Sequence, residues 1–71
     1  MSLRRVGTRI KQLRSAKGWT QAELAEKLGV SRVHVANIES PDDAPHHRTP
    51  SLATLEKLAR VFRVTMAEIL G

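Results

Sequence analysis

Between Thr20 and Glu39 this chain packs the start and stop signals of two short helices into twenty residues, TQAELAEKLGVSRVHVANIE. Thr20 can cap the first helix, and Glu23, three residues on, completes a capping box. Trp19 before that cap and Leu24 after it are placed as a hydrophobic staple. Gly29 can take the left-handed conformation that ends a helix without a Cβ penalty. Ser31 caps the second helix, with Val30 and Val35 as its staple pair. The spacing predicts helices over Gln21–Leu28 and Arg32–Glu39, joined by a turn at Gly29-Val30-Ser31. Signals this dense constrain the angle between two helices, not just their existence.

The second helix sorts its residues by face. At about 100° of rotation per residue, Val35 and Ile38 point one way and can join a core. Arg32, Val33, Ala36 and Asn37 fall on the opposite side. That outer face suits a DNA major groove. Arg can pair with guanine, Asn with adenine, and a small apolar group can touch a thymine methyl. An ordinary solvated helix face would carry similar residues, but the layout of two capped helices matches a DNA-reading helix-turn-helix. His34 points sideways and is read as a phosphate contact or packed flank residue.

The rest of the chain reads as helix and loop. Leu3, Val6, Ile10 and Leu13 recur at three and four, so a first helix is expected from about Ser2 to Lys17, ending at Gly18. Pro41 disfavours helical geometry at Ser40 and stops the third helix. Residues 40–50, SPDDAPHHRTP, hold all three prolines and form a loop. Ser51 caps a fourth helix with the stripe Leu52, Leu55, Leu58, Ala59 and Phe62. Thr65 opens a last turn, with Glu68 as box partner and Val64 and Ile69 as staple. The predicted core is Val6, Ile10, Leu13, Leu24, Ala25, Leu28, Val35, Ile38, Leu55, Leu58, Ala59, Phe62, Ile69 and Leu70, with Ala25 small because two helices cross beside it. The fold class is therefore all-α.

Charge agrees with a nucleic-acid partner. The net charge is +5 over 71 residues, and it is lopsided. Residues 1–32 carry eight Lys/Arg against two acids; residues 33–71 carry four against five. A polyanion is attracted to the basic half. One Trp, one Phe and no Tyr argue against an RNA module built on exposed aromatic stacking. The absence of Cys removes disulfides and thiolate chemistry and fits a reducing, cytoplasmic setting. No apolar run approaches the roughly 20 residues of a membrane span, and MSLRRVGTRIKQLR lacks the apolar centre of an export signal. No nucleophile–base pair, glycine-rich phosphate loop or paired buried carboxylates indicate an enzyme. Asp42, Asp43, His46 and His47 are metal-ligating types, but adjacent pairs in a proline-broken loop seldom aim at one ion. No metal and no cofactor are expected.

The stretch RxxKGWTQAELAEKLGVS from Arg14, followed by VANIE, TPSLATLEKLARVF and TMAEIL, resembles the Cro/phage-repressor type helix-turn-helix family, also called Xre. The resemblance runs from about Val6 to Leu70. It implies a compact five-helix bundle that binds operator DNA as a homodimer and regulates transcription, as a repressor or a small controller protein. Residues 1–71 are expected to form one such domain. Arg14 lies one turn after Ile10 on an apolar stripe, and a buried guanidinium needs a carboxylate. Relatives pair an arginine and a glutamate at the matching positions, so Arg14 and Glu39 are expected to form a structural ion pair; the alternative is two independent surface charges. The resemblance also implies that Gln21 donates to a DNA phosphate and braces Arg32. Arg48 is placed like the basic residues that touch phosphates in relatives, and Thr20 can approach the DNA backbone as well, although capping already explains it. The loop departs from the family: it is a few residues longer and has no Gly, and Asp42 and Asp43 should turn away from DNA. Two other readings compete with the regulator. One is a protein-interaction module, either an antitoxin with a toxin partner or a domain of a larger protein. The other is a nonspecific basic binder, which would not need an ordered helix-turn-helix.

Overall fold

In the computed structural model, which describes residues 6–41 and 44–70, five helices follow one another and no strand occurs among the described residues. They are α1 (Val6–Ala16), α2 (Gln21–Leu28), α3 (Arg32–Glu39), α4 (Leu52–Phe62) and α5 (Met66–Leu70). The predicted bounds of α2 and α3 match those observed. The predicted start of α1 at Ser2, and Leu3 in its stripe, lie outside the described residues.

Local signals set most of these boundaries. At the start of α2 both halves of the capping box are made: Thr20 Oγ1 accepts from Glu23 N–H at 3.1 Å, and Glu23 Oε1 accepts from Thr20 N–H at 2.9 Å. Thr65 and Glu68 repeat the box at α5, both bonds at 3.1 Å. Ser31 and Ser51 cap α3 and α4 by accepting from His34 and Thr54 N–H. Three helices end in the same reverse turn, a left-handed residue followed by an N–H that reaches five residues back. Gly18 and Gly29 supply that residue for α1 and α2, each at φ 73°. Arg63 supplies it for α4 at φ 58°, a place where a side chain is strained. The end of α3 differs: Ser40 is extended at ψ 153°, as Pro41 after it requires.

The core is one cluster of Val6, Ile10, Leu24, Ala25, Leu28, Val35, Ile38, Leu55, Leu58, Phe62 and Ile69. Leu13, Ala59 and Leu70, expected inside, pack only at its edge and stay half-buried. These three lie at the flanks of their stripes, where a thin five-helix core leaves one side open to water. Trp19 closes another edge. Its ring stacks on Phe62 with centroids 5.8 Å apart, and the Lys27 ammonium sits 4.6 Å above it.

Two ties hold the last two helices to the first two. Lys57 Nζ donates to Leu28 O at 3.2 Å, holding α4 to the end of α2. Arg9 Nε donates to Glu68 O at 2.7 Å, holding the short α5 against α1. One close approach was not anticipated. Gly7 is buried where α1 meets the end of α3, and a Cβ there would stand 2.7 Å from Ile38 O and 2.9 Å from Ser40 O.

Candidate nucleic-acid interface

The outer face of α3 is built by what lies under it. Val35 and Ile38 are fully buried, which fixes the helix rotation. Arg32 and Val33 are then exposed, Val33 at 57%, and Ala36 and Asn37 are half-buried on the same side. An apolar side chain so open to water beside a cation and an amide is poorly placed for folding and well placed for a thymine methyl. His34 is half-buried on the flank.

Behind this face lies a buried polar network. Arg14 Nε donates to Glu39 Oε2 at 2.7 Å and Nη2 to Glu39 Oε1 at 3.1 Å, a two-pronged pair. The side chains are 12% and 3% exposed. Arg14 Nη1 also donates to Trp19 O at 2.7 Å, just before the α2 cap. Gln21 Nε2 donates to Glu39 Oε1 at 3.1 Å. The network therefore joins the end of α1, the start of α2 and the end of α3.

Gln21 was expected to brace Arg32; its recorded side-chain bond goes to Glu39 instead. The crossing of α2 and α3 brings the first residue of one helix to the last residue of the other, and there the carboxylate is the strongest acceptor. Arg32 carries donors only and makes no side-chain bond among the described residues. The sequence paired the arginine with its carboxylate but gave Gln21 and Trp19 other roles. A guanidinium has five N–H groups, and asking where the rest go once it is buried would have pointed to them.

The loop after α3 folds back onto it. Arg48 N–H donates to Asn37 O at 3.1 Å, beside the Ser40 N–H bond to the same oxygen. His47 Nδ1 lies 3.0 Å from Ser40 O, which sets the tautomer with the proton on Nδ1. Asn37, Pro45, His46, His47 and Arg48 line a shallow concavity against α3. Arg48 is exposed at its rim. Asp42 and Asp43 lie outside the described residues, so their expected turn away from DNA falls there too. Nothing in the sequence marked His47 as the clasp.

At the start of α2 the capping box uses Thr20 N–H and Glu23 N–H, leaving the backbone N–H groups of Gln21 and Ala22 free of intrahelical partners. The Glu23 carboxyl is held below its usual value of 4.5, first by the Thr20 backbone N–H, then by the Thr20 hydroxyl and Lys27, against a small burial penalty. No helix is long and apolar enough to cross a membrane among the described residues.

Comparison with known proteins gives a consistent picture. A family model described as helix-turn-helix matches residues 10–69. The transcriptional regulator SinR of Bacillus licheniformis is 38% identical over 66 residues, covering 93% of this chain and 56% of that protein. The chain thus spans about half the length of this curated relative. Among solved structures, the restriction-modification controller protein C.AhdI from Aeromonas hydrophila superposes with a TM-score of 0.78 at 33% identity, covering 94% of each chain. SinR, the master regulator for biofilm formation, in complex with DNA, superposes at 0.77 with 38% identity, covering 93% of this chain and 98% of that one.

Proposed function

The chain belongs to the Cro/phage-repressor type helix-turn-helix family, and from that premise we propose that it is a sequence-specific DNA-binding transcription regulator. It works in the cytoplasm as a homodimer on a palindromic operator, with residues 1–71 acting as one DNA-binding domain. The observation that carries this reading is the outer face of α3, where Arg32 and Val33 stand exposed beside Asn37 on a helix whose rotation is fixed by buried Val35 and Ile38. Arg32, Val33, Ala36 and Asn37 read base edges. Gln21, Thr20, His34 and Arg48 meet phosphates and set the register without carrying sequence.

The small size of the reading helix supports the dimer. One eight-residue helix reads few base pairs, and a twofold protein meets a palindrome with half-sites about one helical turn apart. The DNA complex of SinR, similar in fold and sequence, supports the partner class.

Selection of bound fragments from random duplexes tests the proposal. A palindrome should be enriched. On that site Arg32→Ala or Asn37→Ala should cost about 1–3 kcal/mol and relax preference at one base position, with helical circular dichroism unchanged. Arg48→Ala should weaken specific and random duplexes alike and lower the salt slope by about one per half-site. Enrichment of no sequence would refute specific reading.

A further inference from the structure

The geometry points to Glu39 as a positioning residue for DNA binding: its buried carboxylate orients the Gln21 side-chain amide as a phosphate donor. This rests on the reading of Gln21 as a phosphate contact.

A glutamine at a helix start has a free side chain. Its terminal torsion is broad, and its amide can present either oxygen or nitrogen. Glu39 removes that freedom. The carboxylate accepts only, so the amide must turn Nε2 inward, as the 3.1 Å contact to Oε1 records. The opposite orientation would set a carbonyl oxygen against a negative charge. Nε2 carries two hydrogens, and one is spent on Glu39. The second has no recorded partner in the described residues, on a side chain that is half-buried at the start of α2. The free backbone N–H groups of Gln21 and Ala22 lie at the same helix end. Three donors from two adjacent residues thus serve one anion.

Arg14 is what lets an anion approach. A lone buried carboxylate there would repel a phosphate. The bidentate pair at 2.7 and 3.1 Å neutralises it while leaving Oε1 able to accept from Gln21 as well. The same carboxylate belongs to the last residue of α3. It therefore also fixes how far the phosphate anchor stands from the base-reading face.

A cycle of Gln21→Ala, Glu39→Gln and the double variant separates positioning from folding. Each is measured for affinity on the selected site and on a random duplex, well below its melting temperature. Each single change should weaken both duplexes about fivefold, the worth of one hydrogen bond. The double variant should be no weaker than the worse single, because Glu39 acts through Gln21. Losses that multiply would mean Glu39 only supports the fold, and would overturn the proposal. The side-chain NH2 signals of Gln21 give a second readout. They should be ordered and distinct from those of Gln12, the chain's other glutamine, which is exposed. They should collapse toward the Gln12 pattern in Glu39→Gln. If that variant does not fold, Glu39→Asp keeps the charge for Arg14 but withdraws the acceptor from Gln21, and the same collapse is expected. Unchanged signals in the variant that folds would overturn the proposal. If Gln21→Ala binds DNA as the parent does, the anchor role of Gln21 falls and this inference with it, while base reading by α3 is untouched.

Discussion

Replacing Gly7 with alanine should destabilise this protein, although the same change at most helical positions does the reverse. In an unobstructed helix, Gly→Ala gains up to about 1 kcal/mol of propensity. Here the new Cβ meets Ile38 O at 2.7 Å, Ser40 O at 2.9 Å and the Glu39 carbonyl carbon at 3.2 Å. Ordinary contact begins at 3.4 Å, so the two oxygens must retreat by 0.7 and 0.5 Å, the shortfalls from that distance. All three are backbone atoms and have no rotamer to escape into. The relief must come from sliding α1 off the end of α3, which loosens Val6 and Ile10 in the core and stretches the Arg14–Glu39 pair. Overpacking of this kind costs about 1–3 kcal/mol. With three backbone atoms in the way the cost lies in the upper part of that range, about 2–3 kcal/mol, and set against the propensity gain of up to about 1 kcal/mol the net loss is about 1–2 kcal/mol. At about 4–8 °C per kcal/mol for a domain of this size, the melting temperature should fall clearly. Thermal melts by circular dichroism would measure it, with Thr8→Ala, on the exposed neighbouring residue, as the control that should hold or gain stability. If Gly7→Ala melts higher than the parent, α1 does not approach α3 this closely and the reasoning fails.

Three further outcomes are expected. Arg14→Met leaves a carboxylate whose side chain is 3% exposed with Gln21 as its remaining recorded partner, at a cost of about 3–5 kcal/mol. Arg14→Met/Glu39→Leu should recover much of that loss in thermal melts, and purely additive effects would contradict the coupling. Arg63→Gly should raise stability by about 1 kcal/mol, because the left-handed turn at φ 58° then holds no Cβ; denaturant titration would read it. Glu23, whose folded-state carboxyl is depressed from 4.5, contributes stability that is complete above that value and is lost as pH falls through its lower folded value. Between about pH 5 and about pH 3 the melting temperature of the parent should therefore drop more steeply than that of Glu23→Gln, which keeps an acceptor for Thr20 N–H but not the titration.

What could be read in the sequence was local. Thr20 and Glu23 are three residues apart, Gly29 and Ser31 two, and Pro41 acts on its own neighbour, so each boundary of α2 and α3 was encoded within a turn of where it falls. The outer face of α3 followed from rotation alone. Arg14 was legible because a charge on an apolar stripe demands an explanation. The remainder depends on residues brought together by packing. Gly7 looks like a weak spot in a helix until carbonyls from 31 and 33 residues away arrive beside it. Arg63 takes the left-handed turn because α4 must reverse into α5 there, and no glycine marks the place. The partner of Gln21 is set by the crossing of two helices, an angle the caps imply without giving a distance.

Ala36 and Asn37 hold the scaffold together by their backbones. Ala36 O accepts from Ser40 Oγ, and Asn37 O accepts from Ser40 N–H and Arg48 N–H. Every residue type carries that carbonyl. Arg32 and Val33 stand clear of the core altogether. The side chains of Arg32 and Val33 are thus nearly free variables, and those of Ala36 and Asn37, half-buried, are less tightly bound than the core. Surface exchanges of this kind usually shift stability by no more than about 0.5 kcal/mol. If these four side chains read bases as proposed, a population of such chains can wander from one DNA address to another without passing through an unfolded intermediate, and a shared fold is then no guide to a shared operator. The lineage record of binding preference would be written in four side chains, while the carbonyls beneath them stay silent.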